Sequence, residues 1–121
     1  RAEREVGALA TSMVNHCIYC AAVHADRHAK IEKNTELTDA LFAKGVQADM
    51  SPRDRAIFDF AQSLSQAPSK ASKENVAALR SVGLEDVEIL DLILSTALFG
   101  WANRLMHILG DPVRTETECE P

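Results

Sequence analysis

Apolar residues recur at three- and four-residue spacings along most of the chain, and no run alternates with period two, so helices and turns account for the sequence. Val6, Leu9, Met13 and Val14 mark an apolar stripe on a first helix over about Ala2 to Val14. Asn15 and His16 break the pattern. Asn15 is a good capping type for a second helix, expected over about Cys17 to Glu32. A short third helix, about Glu36 to Ala43, follows Thr35 as its cap and stops at Gly45. In Ser51-Pro52-Arg53-Asp54 the serine caps, the proline takes the first helical position and the acid suits the dipole. That fourth helix carries Ile57, Phe58, Ala61 and Leu64 to about Gln66. Pro68 to Ser72 reads as a polar linker, and Ser72 caps a fifth helix that ends at Gly83. The sixth is long, about Glu85 to Leu109, closed by Gly110-Asp111-Pro112. Its middle is apolar on more than one face, as in a helix buried in a core or a subunit interface. The pattern predicts an all-α domain over 1–112 and a polar tail over 113–121.

The chemistry concentrates in His16-Cys17-Ile18-Tyr19-Cys20-Ala21-Ala22-Val23-His24. Offsets of i, i+3 and i+7 share one helix face, so His24 lies one turn beyond Cys20 and two beyond Cys17. Two thiols able to form a disulfide, with a titratable base beside them, make a redox device. Cys17 at a helix N-terminus would have its anion stabilised by the dipole and free N–H groups. His24 can take the proton of Cys20, directly or through a water. Glu5 is either a solvated acid of the first helical turn or, if the first two helices pack antiparallel, a third member that holds the His24 tautomer. Tyr19 points off the cysteine face as packing, and His16 is a cap or rim residue. His28 reads as surface and His107 as interface or core. Zinc is the rival reading: CxxCxxxH supplies three ligands, which His28, His107 or Cys119 would complete.

Composition narrows the classes. At 121 residues, 46% of them hydrophobic and 26% charged, the chain is one ordinary globular domain. A net charge of −5 offers no basic stripe for phosphates, so no nucleic-acid partner is expected. The longest apolar runs fall short of the ~20 residues that span a bilayer, so no membrane partner is expected. No secretory leader is visible, though the chain opens on Arg1 rather than Met. Three cysteines with one close pair do not look like a secreted disulfide scaffold. In a reducing cytosol a CxxC means redox catalysis or metal binding, so a cytoplasmic protein is expected. Cys119, in the polar tail, reads as incidental.

Together these residues resemble the AhpD-like alkylhydroperoxidases of the carboxymuconolactone decarboxylase superfamily. Arg4-Glu5 through Cys17-x-x-Cys20-x-x-x-His24 looks like their core motif. Met50-Ser51-Pro52-Arg53-Asp54-Arg55-Ala56 is similar to the LSPRERAL-type helix start of the peroxidase-related subgroup. Val82-Gly83-Leu84-Glu85-Asp86-Val87-Glu88-Ile89-Leu90-Asp91 resembles its GLSDEEILD-type segment, and Leu98-Phe99-Gly100-Trp101-Ala102-Asn103-Arg104-Leu105 its closing FNxxNRL motif. The resemblance implies an AhpD-like fold of about six helices that assembles as a homo-oligomer, trimer or hexamer. It also implies cofactor-free thiol peroxidase activity, with a hydroperoxide substrate and a dithiol or protein reductant. Its proton relay carries over to Glu5, Cys17, Cys20 and His24, with Cys20 attacking the peroxide and Cys17 resolving the sulfenic acid. The helix dipole alone would favour Cys17 as nucleophile; adjacency to His24 favours Cys20. Two positions depart from the pattern: Tyr19 stands where some members carry histidine, and Gly100 where the closing motif often has asparagine. The readings from other classes are a non-enzymatic helical oligomer with a structural zinc or redox-sensing CxxCxxxH site, and a dithiol module serving another peroxidase.

Overall fold

In a computed structural model of the chain, which describes residues 1–112, helix α1 (Ala2–Val14) is the element on which the others dock. Every residue from Val6 to Ser12 is buried, so α1 is covered all round rather than along the single stripe expected; Met13 and Val14 are only half-buried. Small side chains make this possible. A Cβ added to Gly7 would lie 2.9 Å from Leu92 Cδ1 and 3.2 Å from Thr96 Oγ1, a separation only glycine permits. The buried hydroxyls are satisfied inside the helix: Thr11 donates to the Gly7 carbonyl at 2.8 Å and Ser12 to that of Ala8 at 2.7 Å.

Helices α2 (Ile18–Glu32), α4 (Pro52–Ser65) and α6 (Asp86–Leu109) pack on α1, while α3 (Glu36–Lys44) and α5 (Lys73–Ser81) pack peripherally on α2 and on α4 and α6. No strand occurs among the described residues. The core joins Val6 and Leu9 of α1 to Leu41, Ile57, Phe58, Leu79 and Leu92. Arg53 ties the start of α1 to the α5–α6 turn, donating to Glu3 at 3.0 Å and to the Val82 carbonyl at 2.9 Å.

Several expected boundaries shift for local reasons. Cys17, not Asn15, is the N-cap of α2, because the Cys17 N–H is bound to the Ser12 carbonyl at 2.9 Å and the chain turns before the helix begins. Thr35 makes no side-chain cap; Asn34 Oδ1 accepts the Glu36 N–H at 2.8 Å instead. The Ser51 and Ser72 caps form, the latter as a capping box with Asn75. The tail 113–121 lies outside the described residues.

The length expectation for α6 is corrected. Its 24 residues are long and apolar enough to cross a bilayer by length and composition. One face of it packs on α1: buried Thr96 and Asn103 face α1, and Asp91 pairs with Arg4 at 2.8 Å. The opposite face is apolar and exposed, with Val87, Leu90, Leu94, Leu98, Trp101 and Leu105 in one stripe.

Gly7→Ala tests the packing argument. Leu92 is buried and its side chain must shift to admit the methyl, so the expected result is a loss of about 1–2 kcal/mol of stability in chemical denaturation, despite the ~1 kcal/mol that alanine adds in helix propensity. An unchanged or raised midpoint would show that the α1–α6 contact is loose.

Candidate redox site

The site is built at the reversal between α1 and α2. Asn15 closes α1 by bonding its N–H to the Thr11 carbonyl at 3.0 Å, and His16 takes a left-handed conformation, φ +56°. Cys17 then enters α2 extended as its N-cap residue, and its side chain makes no cap hydrogen bond. Cys20 follows one turn on. Both cysteines are free and buried, and their sulfurs lie 2.7 Å apart. The antiparallel return of α2 places His24 beside Glu5, with Nδ1 2.7 Å from Glu5 Oε2. The carboxylate accepts the Nδ1–H, which leaves Nε2 as the basic nitrogen of the neutral ring. His24 is buried, and Phe99 of α6 meets its ring edge-on, centroids 4.1 Å apart at 75°. Glu5 is therefore engaged with a buried histidine rather than solvated.

The remaining sequence candidates scatter. His16 is exposed and, with Met13, Cys17, Ile18, Ala21 and Phe42, lines an apolar cavity of about 350 Å³ that reaches the thiol pair at Cys17. Tyr19 is more than a third exposed rather than packed. His28 is buried, not at the surface: it lines a separate cavity of about 210 Å³ with Leu37 and Met50, and its Nδ1 has no partner. His107 is exposed, neither core nor part of the thiol cluster, and bonds the Asn15 carbonyl through Nε2 at 2.7 Å. Cys119 lies outside the described residues. Among those residues no three His, Cys, Asp or Glu side chains converge as metal ligands.

Sequence reasoning missed a polar network behind the thiols. Asn103 of α6, fully buried, donates through Nδ2 to Ser12 Oγ at 3.1 Å and accepts from Asn15 Nδ2 at 3.2 Å. Its one advance signal was its place in the closing motif. The network bears on the site's electrostatics. Burial, and then the Cys17 sulfur beside it, push the Cys20 thiol from its ordinary 9.0 up to about 11; Asn103 acts in the opposite direction and Asp111 adds to the rise. Cys20 is therefore held as a thiol at neutral pH and needs a base to become a nucleophile.

No protein-family model and no curated protein matches the chain. Solved structures do. An uncharacterized peroxidase-related protein of Ralstonia eutropha JMP134, described as an alkylhydroperoxidase AhpD core, is 34% identical over 88% of this chain, with a TM-score of 0.77. An uncharacterized peroxidase-related protein of Silicibacter sp. TM1040 is 26% identical over 98% of this chain, with a TM-score of 0.80. This chain spans 56% and 62% of their respective lengths. The all-α fold is that of the AhpD-like class. Within that class the chain is similar to the peroxidase-related proteins.

The raised Cys20 value sets a pH dependence. The fold favours the thiol, so this contribution to stability is present below pH 9.0 and is lost as pH rises through about 11. Denaturation midpoints should fall across that window, and the fall should be shallower in Cys20→Ala. Identical slopes in the two proteins would show that Cys20 is not held neutral by the fold.

Proposed function

We propose that the chain is the redox core of a thiol-dependent hydroperoxide reductase. The observation that carries this reading is the Glu5–His24 hydrogen bond of 2.7 Å, one helical turn from a buried thiol pair. His24, its Nδ1–H held by Glu5, takes the Cys20 proton at Nε2. The Cys20 thiolate attacks the terminal peroxide oxygen: an S–O bond forms, the O–O bond breaks, and the alkoxide leaves as the alcohol with that proton. Cys17 then loses its proton and its sulfur attacks the sulfenic acid: the S–S bond forms, the S–O bond breaks, and the departing hydroxide takes up that proton as water. A dithiol or a protein reductant returns two electrons and two protons. The apolar cavity at Cys17 suits the alkyl part of an organic hydroperoxide. The peroxidase-related relatives support this class of activity. The exposed stripe on α6 suits a second copy of the chain, giving a trimer or hexamer.

One equivalent of an organic hydroperoxide should consume two thiols and lower the intact mass by about two units. Cys20→Ser should abolish turnover, Cys17→Ser should stop at a trappable sulfenic acid, and Glu5→Gln should slow oxidation by about 10²-fold. Unchanged thiols after peroxide, or full activity in Cys20→Ser, would overturn the mechanism. For assembly, sedimentation should give a trimer or hexamer, shifted toward monomer by Leu94→Lys; a monomeric parent chain would dismiss the α6 interface.

A further inference from the structure

His28 is buried, 5% exposed, and takes no part in the thiol cluster. A neutral imidazole has one N–H and one lone pair, and whichever of them lies at Nδ1 finds no partner among the described residues. A buried polar atom in that state is costly, and an apolar side chain would fill the space without the cost. The ring walls the cavity of about 210 Å³ where the last turn of α2 meets the start of α3 and the segment before α4. Leu37 and Met50 give this cavity an apolar side. Its charged lining is acidic throughout: Glu32, Glu36 and Asp49, with no lysine or arginine among the described residues. Lys44 neutralises Asp49 from outside the lining at 2.7 Å. Glu36 accepts from Asn34 Nδ2 at 3.3 Å, which leaves its charge in place, and the N-terminus of its own helix offsets about half of that charge. Glu32 enters no ion pair among the described residues.

We infer that this cavity is a binding site for a small primary alkylammonium ion. An ammonium group carries three N–H donors and a positive charge, so it meets the two needs of the cavity at once. It donates to the His28 imidazole and to the Glu32 carboxylate, while the alkyl part lies against Leu37 and Met50. His28 and Glu32 stand at i and i+4 on α2, so their side chains share one helix face and one ammonium reaches both. A bare metal ion fits less well, because no three His, Cys, Asp or Glu side chains converge as ligands among the described residues. The site is distinct from the thiol pair, whose own cavity opens at Cys17, and it does not rest on the peroxidase reading.

The test is a titration of the unmodified chain with n-butylammonium at fixed pH and ionic strength. It is followed by the ring signals of His28 in nuclear magnetic resonance, assigned through bonds. Those signals should move along a saturable curve. Potassium ion and neutral 1-butanol at the same concentrations should leave them in place. Glu32→Gln, a change at an exposed position that keeps the fold, should weaken binding by about tenfold. His28→Leu should weaken it by about as much, read by calorimetry, and should unfold at a denaturant concentration no lower than the parent chain, since an unpartnered polar group has left the interior. A shift that never saturates, an equal shift with potassium or 1-butanol, or undiminished binding in Glu32→Gln would overturn the assignment. These three readings use the parent chain and a surface variant, so they decide the matter even if His28→Leu does not fold.

Discussion

The close approach of α1 to its neighbours is the constraint on which this structure depends. From Val6 to Ser12 no side chain of α1 reaches solvent, and the space is shared by α2, α4 and α6. Gly7 sets the distance to α6, where an added methyl would meet Leu92 at 2.9 Å. Thr11 and Ser12, polar in a buried helix, return their protons to the carbonyls one turn back. That satisfies the hydroxyls and also turns Ser12 into an acceptor, which orients Asn103. The residues that permit tight packing thus define the polarity of the wall behind the thiols. Glu5 stands where this buried stretch ends, partly exposed and near enough to α2 to hold His24.

Burial works against the chemistry it protects. Moving the Cys20 thiol from 9.0 to about 11 represents a cost on the order of 3 kcal/mol for making the anion. A positioned general base contributes on the order of 10²–10⁴-fold, which is the same size. In the proposed attack, the Glu5-held imidazole acting as that base would offset the burial.

The sequence was most informative where chemistry and period coincide. Cys17, Cys20 and His24 fall on one face because a single helix carries all three, and no tertiary information is needed to see it. Glu5 was legible only conditionally, since its reach depends on the antiparallel return of α2. That return is made by His16 at φ +56°, with no glycine to announce it. Asn15 resembled an N-cap because its type is right, but the Cys17–Ser12 backbone bond starts the helix two residues later. His28 was misplaced by extending a helical face outward; Leu37 and Met50, supplied from farther along the chain, close over it. Asn103 was invisible as a polar anchor. It meets Ser12 across 91 positions, and a long-range polar contact has no period to reveal it.

Helix α6 joins the site to the surface by simple rigidity. Its inner face is registered by polar contacts that tolerate no slippage: Asn103 on Ser12 and Asn15, and His107 on the Asn15 carbonyl. Turning the helix by one residue, about 100°, would break these bonds and bury apolar side chains against hydroxyls. The rotation that satisfies Asn103 therefore also decides that Leu94, Leu98 and Trp101 point outward. Over 24 residues, about 36 Å of helix, that outward stripe is continuous. A second copy seated there would press on the same rigid element that carries Phe99 against His24 and Asn103 against Ser12 and Asn15. Coupling between assembly and thiol chemistry then needs no relay of moving parts, because one helix presents both faces.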